Sequence, residues 1–241
     1  MLNSFFEPIL MTGGSGKLGT ELIRISTKSG VVFRAPSSKE TNILKYQDIL
    51  RDVKNHSGNT VVHCAAATDV VDLEKNIIKA CEVNVIGTFN VLKACVEADK
   101  HLVFISTDYV FDGELGPYST SDPINPLSVY AKSKASAELI TRTYKNSTVI
   151  RTSFFGYDFP HPSAFVDQWS SKDYVDIIAP KVLECIKSKQ TGVFHIGSRR
   201  RTIYEIAKER SPDVRQASRT TVKHTVPRDT SFRTVEFFKE E

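Results

Sequence analysis

Tyr130 and Lys134 stand four residues apart in a stretch of helical periodicity, a spacing that lays both side chains on one helix face. A free phenol titrates at about 10, and a neighbouring ammonium favours the phenolate. The pair therefore suits proton transfer to an oxygen that gains charge as a carbonyl is reduced. Spacing alone is not diagnostic, because Tyr204 and Lys208 repeat it. The company differs. Ser106-Thr107-Asp108 closes an apolar strand pattern, and ligands of open parallel sheets gather outside the carboxyl ends of the strands. A Thr107 hydroxyl there can share an oxygen with Tyr130. The connection Asp108–Leu127 is rich in Gly, Pro and Asp, as in a loop over a site.

A second cluster is suited to an anion. Thr12-Gly13-Gly14-Ser15-Gly16-Lys17-Leu18-Gly19 reads as GxxGxxG through Gly13, Gly16 and Gly19, or as GxGxxG from Gly14. Glycines there permit a tight turn and close backbone approach to a pyrophosphate, and the helix that follows offers unpaired N–H groups and a partial positive charge. A Walker-type loop is excluded, since Leu18 fills the position that needs Ser or Thr. An NAD site usually carries an acid about 20 residues beyond the glycines. The sequence there is Val32-Phe33-Arg34-Ala35-Pro36-Ser37-Ser38-Lys39. Arg34, backed by Ser37, Ser38 and Lys39, fits a 2′-phosphate, so NADP(H) is the preferred cofactor and NAD(H) the lesser one. A plain solvated basic loop is the competing account of the same residues.

The elements that position these groups follow from alternation. Strand patterns at Pro8–Thr12, Val31–Arg34, Thr60–Cys64, Leu102–Ser106, Thr148–Arg151 and Val193–Ile196 alternate with helical patterns. The helices fall at Leu18–Thr27, Leu44–Lys54, Ile77–Glu97, Val129–Tyr144, Val175–Lys187 and Ile203–Arg210. Such alternation specifies an α/β fold, a Rossmann-type doubly wound parallel sheet with a small C-terminal substrate lobe. Gly87 predicts a bend in the long 77–97 helix. After Arg151 the periodicity weakens among Pro160, Pro162 and Pro180. The boundary drawn there gives a dinucleotide-binding domain over 1–152 and a lobe over 153–241 that is shortened and interleaved with the core.

Composition removes several other classes. At 241 residues, 40% hydrophobic and 25% charged, the chain can bury a core, and a net charge of +4 is too small to single out nucleic acid. The apolar run Phe5–Met11 is interrupted by Glu7 and Pro8 and is no signal peptide, and no run reaches transmembrane length, so no membrane partner is expected. Cys64, Cys81, Cys95 and Cys185 lack disulfide or zinc spacing and read as buried free thiols of a reducing compartment, the cytoplasm. The six histidines show no metal-binding spacing, so no metal is expected.

In chain order, the Gly-rich loop, Cys64-Ala65-Ala66-Ala67-Thr68, Val83-Asn84-Val85-Ile86-Gly87-Thr88, Ser106-Thr107-Asp108-Tyr109-Val110-Phe111-Asp112-Gly113 and Tyr130-Ala131-Lys132-Ser133-Lys134 resemble extended short-chain dehydrogenases/reductases. The run from Ser106 to Gly113, Asp122-Pro123-Ile124-Asn125-Pro126 and Arg151-Thr152-Ser153 resemble the dTDP-4-dehydrorhamnose reductase branch, over nearly the whole chain. The resemblance implies an NADPH-dependent reductase of a 4-keto-6-deoxy nucleotide sugar. It implies a catalytic set of Thr107, Tyr130 and Lys134, with Tyr130 as proton donor and Lys134 on the nicotinamide ribose. The cofactor groove would take in Gly13, Ser15, Gly16, Lys17, Leu18, Gly19, Arg34, Asn42, Ile43, Ala65, Ala66, Ala67 and Ile105, beside Tyr130 and Lys134. Thr68, Thr107, Asp108 and Phe154 would touch the sugar nucleotide. Asn84 matches the family's helix asparagine, as a proton-relay support or a packing amide. Related dehydratases carry Asp-Glu after the threonine, where this chain has Asp108-Tyr109, which argues against water elimination.

Three departures stand out. Asn42 replaces an Asp near the adenine, and Phe154 replaces a substrate-lining Trp. Only Phe155 to Val166 separates Arg-Thr-Ser from Asp167-Gln168-Trp169, so about one helix of the usual roughly 11 residues is missing from the lobe. Phe194-His195-Ile196-Gly197 and Pro227-Arg228-Asp229 still resemble the branch's ending. The shortening leaves two other functions open: a non-catalytic NADP-binding regulatory subunit, such as that branch supplies to methionine adenosyltransferase, or a reductase of a smaller carbonyl compound. A second subunit, in a homodimer or of another kind, would then complete the pocket. Arg199-Arg200-Arg201 is either a diphosphate clamp or a solvated run.

Overall fold

The computed structural model describes residues 7–222 and 225–233. Phe5, Phe6 and His224 lie outside the described residues, as does the end of the lobe from 234. Among the described residues the main sheet has six strands: β1 (Ile9–Thr12), β2 (Phe33–Arg34), β3 (Thr60–His63), β4 (His101–Thr107), β5 (Ser147–Thr152) and, much later, β10 (Gly192–Ile196). They run parallel in the order β2-β1-β3-β4-β5-β10. Every residue of β1, β3, β4 and β5 is buried, as strands covered on both faces must be.

Helices α1 (Lys17–Ser26), α2 (Tyr46–Asn55), α3 (Val70–Lys75), α4 (Ile77–Ala80), α5 (Gly87–Glu97), α6 (Val129–Thr141), α7 (Val175–Ser188) and α8 (Ile203–Arg210) follow in chain order. Alternate strand residues serve opposite layers. Met11, Val62 and Val103 pack with Leu22 of α1 and Ile178 and Val182 of α7. Leu10, Val61 and Leu102 pack with Ile49 of α2 and Val91 and Cys95 of α5. The sheet is thus doubly wound. The chain leaves β1 toward β2 and then crosses to β3 on the other side, so a crevice opens past the carboxyl ends of β1 and β3.

Local details depart from the periodicity. The 77–97 segment is not one helix but α4, a π-helical turn over Cys81–Ile86, and α5. A Cβ on Gly87 would stand 2.7 Å from Ile43 Cδ1, so the glycine serves close approach rather than a bend. The π turn leaves Cys81 exposed, which corrects its assignment as a buried thiol. Cys95 and Cys185 are buried and Cys64 is half-buried. Helix α3 was not anticipated. It is six residues long and begins where the Asp69 carboxylate accepts the Asp72 amide at 2.9 Å. Helix α7 runs through Pro180, whose missing N–H falls on the exposed side.

Past β5 the chain does two things. Helix α7 and strand β10 return to the main sheet. Strands β6 (Phe154–Phe155), β7 (Ser163–Phe165), β8 (Trp169–Ser170), β9 (Asp173–Tyr174), β11 (Arg201–Thr202) and β12 (Arg215–Ala217) form two-stranded ribbons, β6 with β9, β7 with β12 and β8 with β11. Phe159, Ala164, Tyr174, Ile203, Ile206 and Val214 give this lobe its own core. Strands of two or three residues carry no readable period, which is why the sequence shows them as loop. Among the described residues no helix is long and apolar enough to cross a membrane.

Candidate active site

The glycine loop is shaped by contacts that exclude side chains. Gly13 has φ +77°, and a Cβ there would stand 2.4 Å from the Ala65 amide nitrogen. A Cβ on Gly14 would stand 2.5 Å from Ala35 Cβ. The carboxyl ends of β1, β2 and β3 therefore close on one another only because these residues are glycine. Gly16 caps α1 without a side-chain hydrogen bond, and the first turn of α1 holds no acid, so its N–H groups face outward for an anion. A groove of about 360 Å³ runs along this loop, lined by Gly13, Ser15, Gly16, Asn42, Ile43, Ala65 and Ala66 among others. Lys17 is exposed at its rim, and Leu18 and Gly19 are buried beneath it. The cradle fits a dinucleotide diphosphate.

At the carboxyl end of β2, Arg34 is half-exposed and lies 3.3 Å from the Asp52 carboxylate. Ser37 donates to Glu40 through its amide and its hydroxyl, both at 2.8 Å, and these bonds hold the Glu40 carboxyl below its ordinary range. The strand end has no acid in sequence, yet the fold brings two carboxylates beside it. Asn42 braces its own turn by accepting the Leu44 amide at 2.9 Å.

A buried relay of hydrogen bonds lies under the groove, and sequence reading missed it. Thr12 Oγ1 meets His63 Nδ1 at 2.6 Å, His63 Nε2 meets Thr88 Oγ1 at 3.0 Å, and Thr88 donates to the Asn84 carbonyl at 2.7 Å. Burial lowers His63 to about 3, so the ring is neutral and serves as a strut. Asn84 accepts the Ala67 amide at 2.8 Å and donates to the Ala67 carbonyl and to Ser133 Oγ, each at 2.9 Å. Both amide hydrogens are spent on structure. The packing role fits, with Asn84 tying the loop after β3 to α6.

Helix α6 carries the central residues. Ser128 caps it by accepting the Ala131 amide, and Glu74 of α3 accepts the Val129 amide at 2.8 Å. Its inner face then presents Tyr130, Lys134 and Glu138. Lys134 is buried, donates to the Ile105 carbonyl at 2.7 Å and lies 4.1 Å from the Phe104 ring. Burial lowers its ammonium to about 7, with Cys64 and Glu138 opposing. Burial pushes the Tyr130 phenol well up, and a hydrogen bond with Thr107 acts the other way. Glu138 is fully buried between Ser106 Oγ at 2.7 Å and Arg151 at 2.6 Å. These bonds fix α6 against the carboxyl ends of β4 and β5, beside Thr107.

The structure treats the remaining sequence candidates unevenly. Asp108 is buried, with Ser170 and Thr230 donating to one carboxylate oxygen at 3.1 and 2.8 Å and Thr107 to the other at 3.3 Å. It ties the lobe to the strand end rather than facing a cleft. Phe154 packs into the main core, and the neighbouring Phe155 faces the lobe. Thr68 is exposed at the start of α3. The arginine run divides: Arg199 and Arg200 are exposed, as in a solvated run, although Arg200 also stacks on Trp169 at 3.9 Å and pairs with Asp229 at 2.8 Å, whereas Arg201 is buried and pairs with Asp173 and Glu209 at 2.5 Å each. Tyr204 packs in the lobe core and Lys208 donates to the Pro212 carbonyl, so the second Tyr–Lys pair lies apart from the strand-end threonine.

Residues 7–166 match the family described as the RmlD substrate binding domain. The chain belongs to that family. This RmlD-family chain is 32% identical over 207 residues to the spore coat polysaccharide biosynthesis protein SpsK of Bacillus subtilis, covering 79% of the chain and 73% of SpsK. It is 33% identical over 154 residues to a dTDP-4-dehydrorhamnose reductase of Mycobacterium tuberculosis, covering 61% of the chain and half of that protein. A solved structure described as a dTDP-4-dehydrorhamnose reductase from Clostridium acetobutylicum superposes with TM-score 0.86 at 25% identity, over 94% of the RmlD-family chain and 90% of the other.

Proposed function

We propose that the protein is an NADPH-dependent reductase of a 4-keto-6-deoxy nucleotide sugar, with Tyr130 as proton donor. One observation carries the reading. Tyr130 and Lys134 lie on the inner face of α6 beside Thr107, at the same sheet edge where the glycine cradle would hold a dinucleotide. The relatives' names support the substrate class.

The nicotinamide, when bound, supplies the hydride. The chain does the rest. Burial keeps the Tyr130 phenol protonated at neutral pH, so its O–H can be donated to a carbonyl oxygen. The Thr107 hydroxyl, hydrogen-bonded to Tyr130, orients that oxygen. Lys134, anchored on the Ile105 carbonyl, offers a positive charge that favours the phenolate left behind. Arg34 supports the 2′-phosphate preference, and NAD(H) remains a weaker cofactor. We assign residues 1–152 to cofactor binding, 153–241 to the sugar nucleotide, and the protein to the cytoplasm, which its free cysteines support.

The test follows NADPH oxidation spectroscopically with a panel of 4-keto-6-deoxy nucleotide sugars. Turnover of a dTDP-linked substrate is expected. Tight NADPH binding with no turnover of any member would overturn the reading in favour of a regulatory subunit.

A further inference from the structure

Lys172 occupies a position that neither the motifs nor the catalytic set accounts for. Its ammonium lies 4.7 Å from the Phe155 ring centroid and 5.6 Å from that of Tyr109. Those rings follow β4 and β5, Tyr109 after the first and Phe155 after the second, so the lysine, which lies between β8 and β9 of the lobe, meets the carboxyl ends of both strands. The Tyr109 ring in turn meets the edge of Tyr130 at 6.4 Å. Among the described residues no carboxylate lies within salt-bridge distance of Lys172, whereas Arg200 and Arg201 next door spend their charge on Asp229, Asp173 and Glu209. Aromatic faces attract a cation but do not neutralise it.

The backbone beneath this lysine is fixed. Its amide donates to Ser170 Oγ at 3.0 Å, and that hydroxyl donates to Asp108 at 3.1 Å, the residue after Thr107. Hydrogen bonds therefore connect Thr107, Asp108, Ser170 and Lys172 in one continuous chain. The Tyr109 ring thus stands in contact range of both the Lys172 ammonium and the Tyr130 ring.

We propose that Lys172 binds the diphosphate of the nucleotide sugar and so positions the sugar carbonyl at Tyr130. The proposal rests on the reductase reading above and adds the residue that recognises the anion. It also gives the shortened lobe a source of substrate grip: remote binding energy from the diphosphate holds the reacting carbon in place.

The test uses the full chain loaded with NADP+ and measures binding of dTDP and of thymidine by calorimetry, for wild type, Lys172→Gln and Lys172→Arg. The probe dTDP carries the diphosphate without the sugar, and thymidine lacks the anion. A charge-assisted contact predicts that Lys172→Gln weakens dTDP binding about 10- to 150-fold. Thymidine binding should be equal in wild type and Lys172→Gln, and Lys172→Arg should restore most of the dTDP affinity. NADP+ affinity serves as the check that each variant is folded. Equal dTDP binding by wild type and Lys172→Gln would overturn the role of Lys172 and leave the reductase reading standing. Failure of wild type to bind dTDP at all would overturn both. Parallel loss of dTDP and thymidine binding in Lys172→Gln, unrescued by arginine, would mean that the lysine shapes the pocket rather than binding the anion.

Discussion

Replacing Lys134 by Met should stabilise the cofactor-free protein at pH 7 while abolishing turnover. Lys134 is buried, and burial lowers its ammonium from the ordinary 10.5 to about 7. Between those two values the unfolded chain binds a proton that the native protein has released. Stability therefore rises with pH across this window, and the penalty from the buried charge is largest below about pH 7. At pH 7 the linkage amounts to about 4 kcal/mol against the native state. Methionine removes that term but also removes the donor to the Ile105 carbonyl, and an orphaned buried carbonyl costs about 1–3 kcal/mol. The variant should then be more stable by about 1–3 kcal/mol at pH 7, and the gain should vanish near pH 9.5 as the wild-type penalty fades. Urea denaturation of both proteins without cofactor, at the two pH values, measures this. A variant less stable than wild type by the same margin at both would show that the ammonium bears no burial cost, and the electrostatic account of α6 would be wrong.

Tyr130→Phe should lower turnover about 10²- to 10⁴-fold with NADPH affinity retained, while Tyr204→Phe leaves both unchanged; equal losses in steady-state kinetics would misplace the site. Gly13→Ala should weaken NADPH binding at least about tenfold in a fluorescence titration, because it strains a φ of +77° and drives a methyl against the Ala65 amide. Arg151→Met should lower stability by about 3–5 kcal/mol in chemical denaturation, since it leaves the buried Glu138 carboxylate only the longer contact with Arg142 at 3.8 Å.

How much of this was legible in the sequence differs by element. The parallel strands could be read because strands buried on both faces are continuous apolar runs, and the glycine loop because its spacing is fixed by backbone approach. Tyr130, Lys134 and Thr107 were legible as local motifs at a helix face and a strand end. The π turn at Cys81–Ile86 was not, because one extra residue in a helical turn leaves apolar periodicity nearly unchanged. The ribbons of the lobe were invisible for a similar reason, being too short to show a period.

Partner choice was decided by tertiary structure alone. Nothing in the run Arg199-Arg200-Arg201 says that two of its charges are spent on Asp229, Asp173 and Glu209, which lie elsewhere in the chain. Nothing local says that His63 is a neutral strut between Thr12 and Thr88, or that Asp108 turns inward to Ser170 and Thr230. Lys172 looks in sequence like any surface lysine, and only the fold brings Tyr109 and Phe155 from separate strand ends to meet it. Periodicity and backbone geometry are short-range and are written in neighbouring residues. Charge compensation and burial depend on what the folded chain brings within a few ångströms, and that is fixed only when the sheet and the lobe close together.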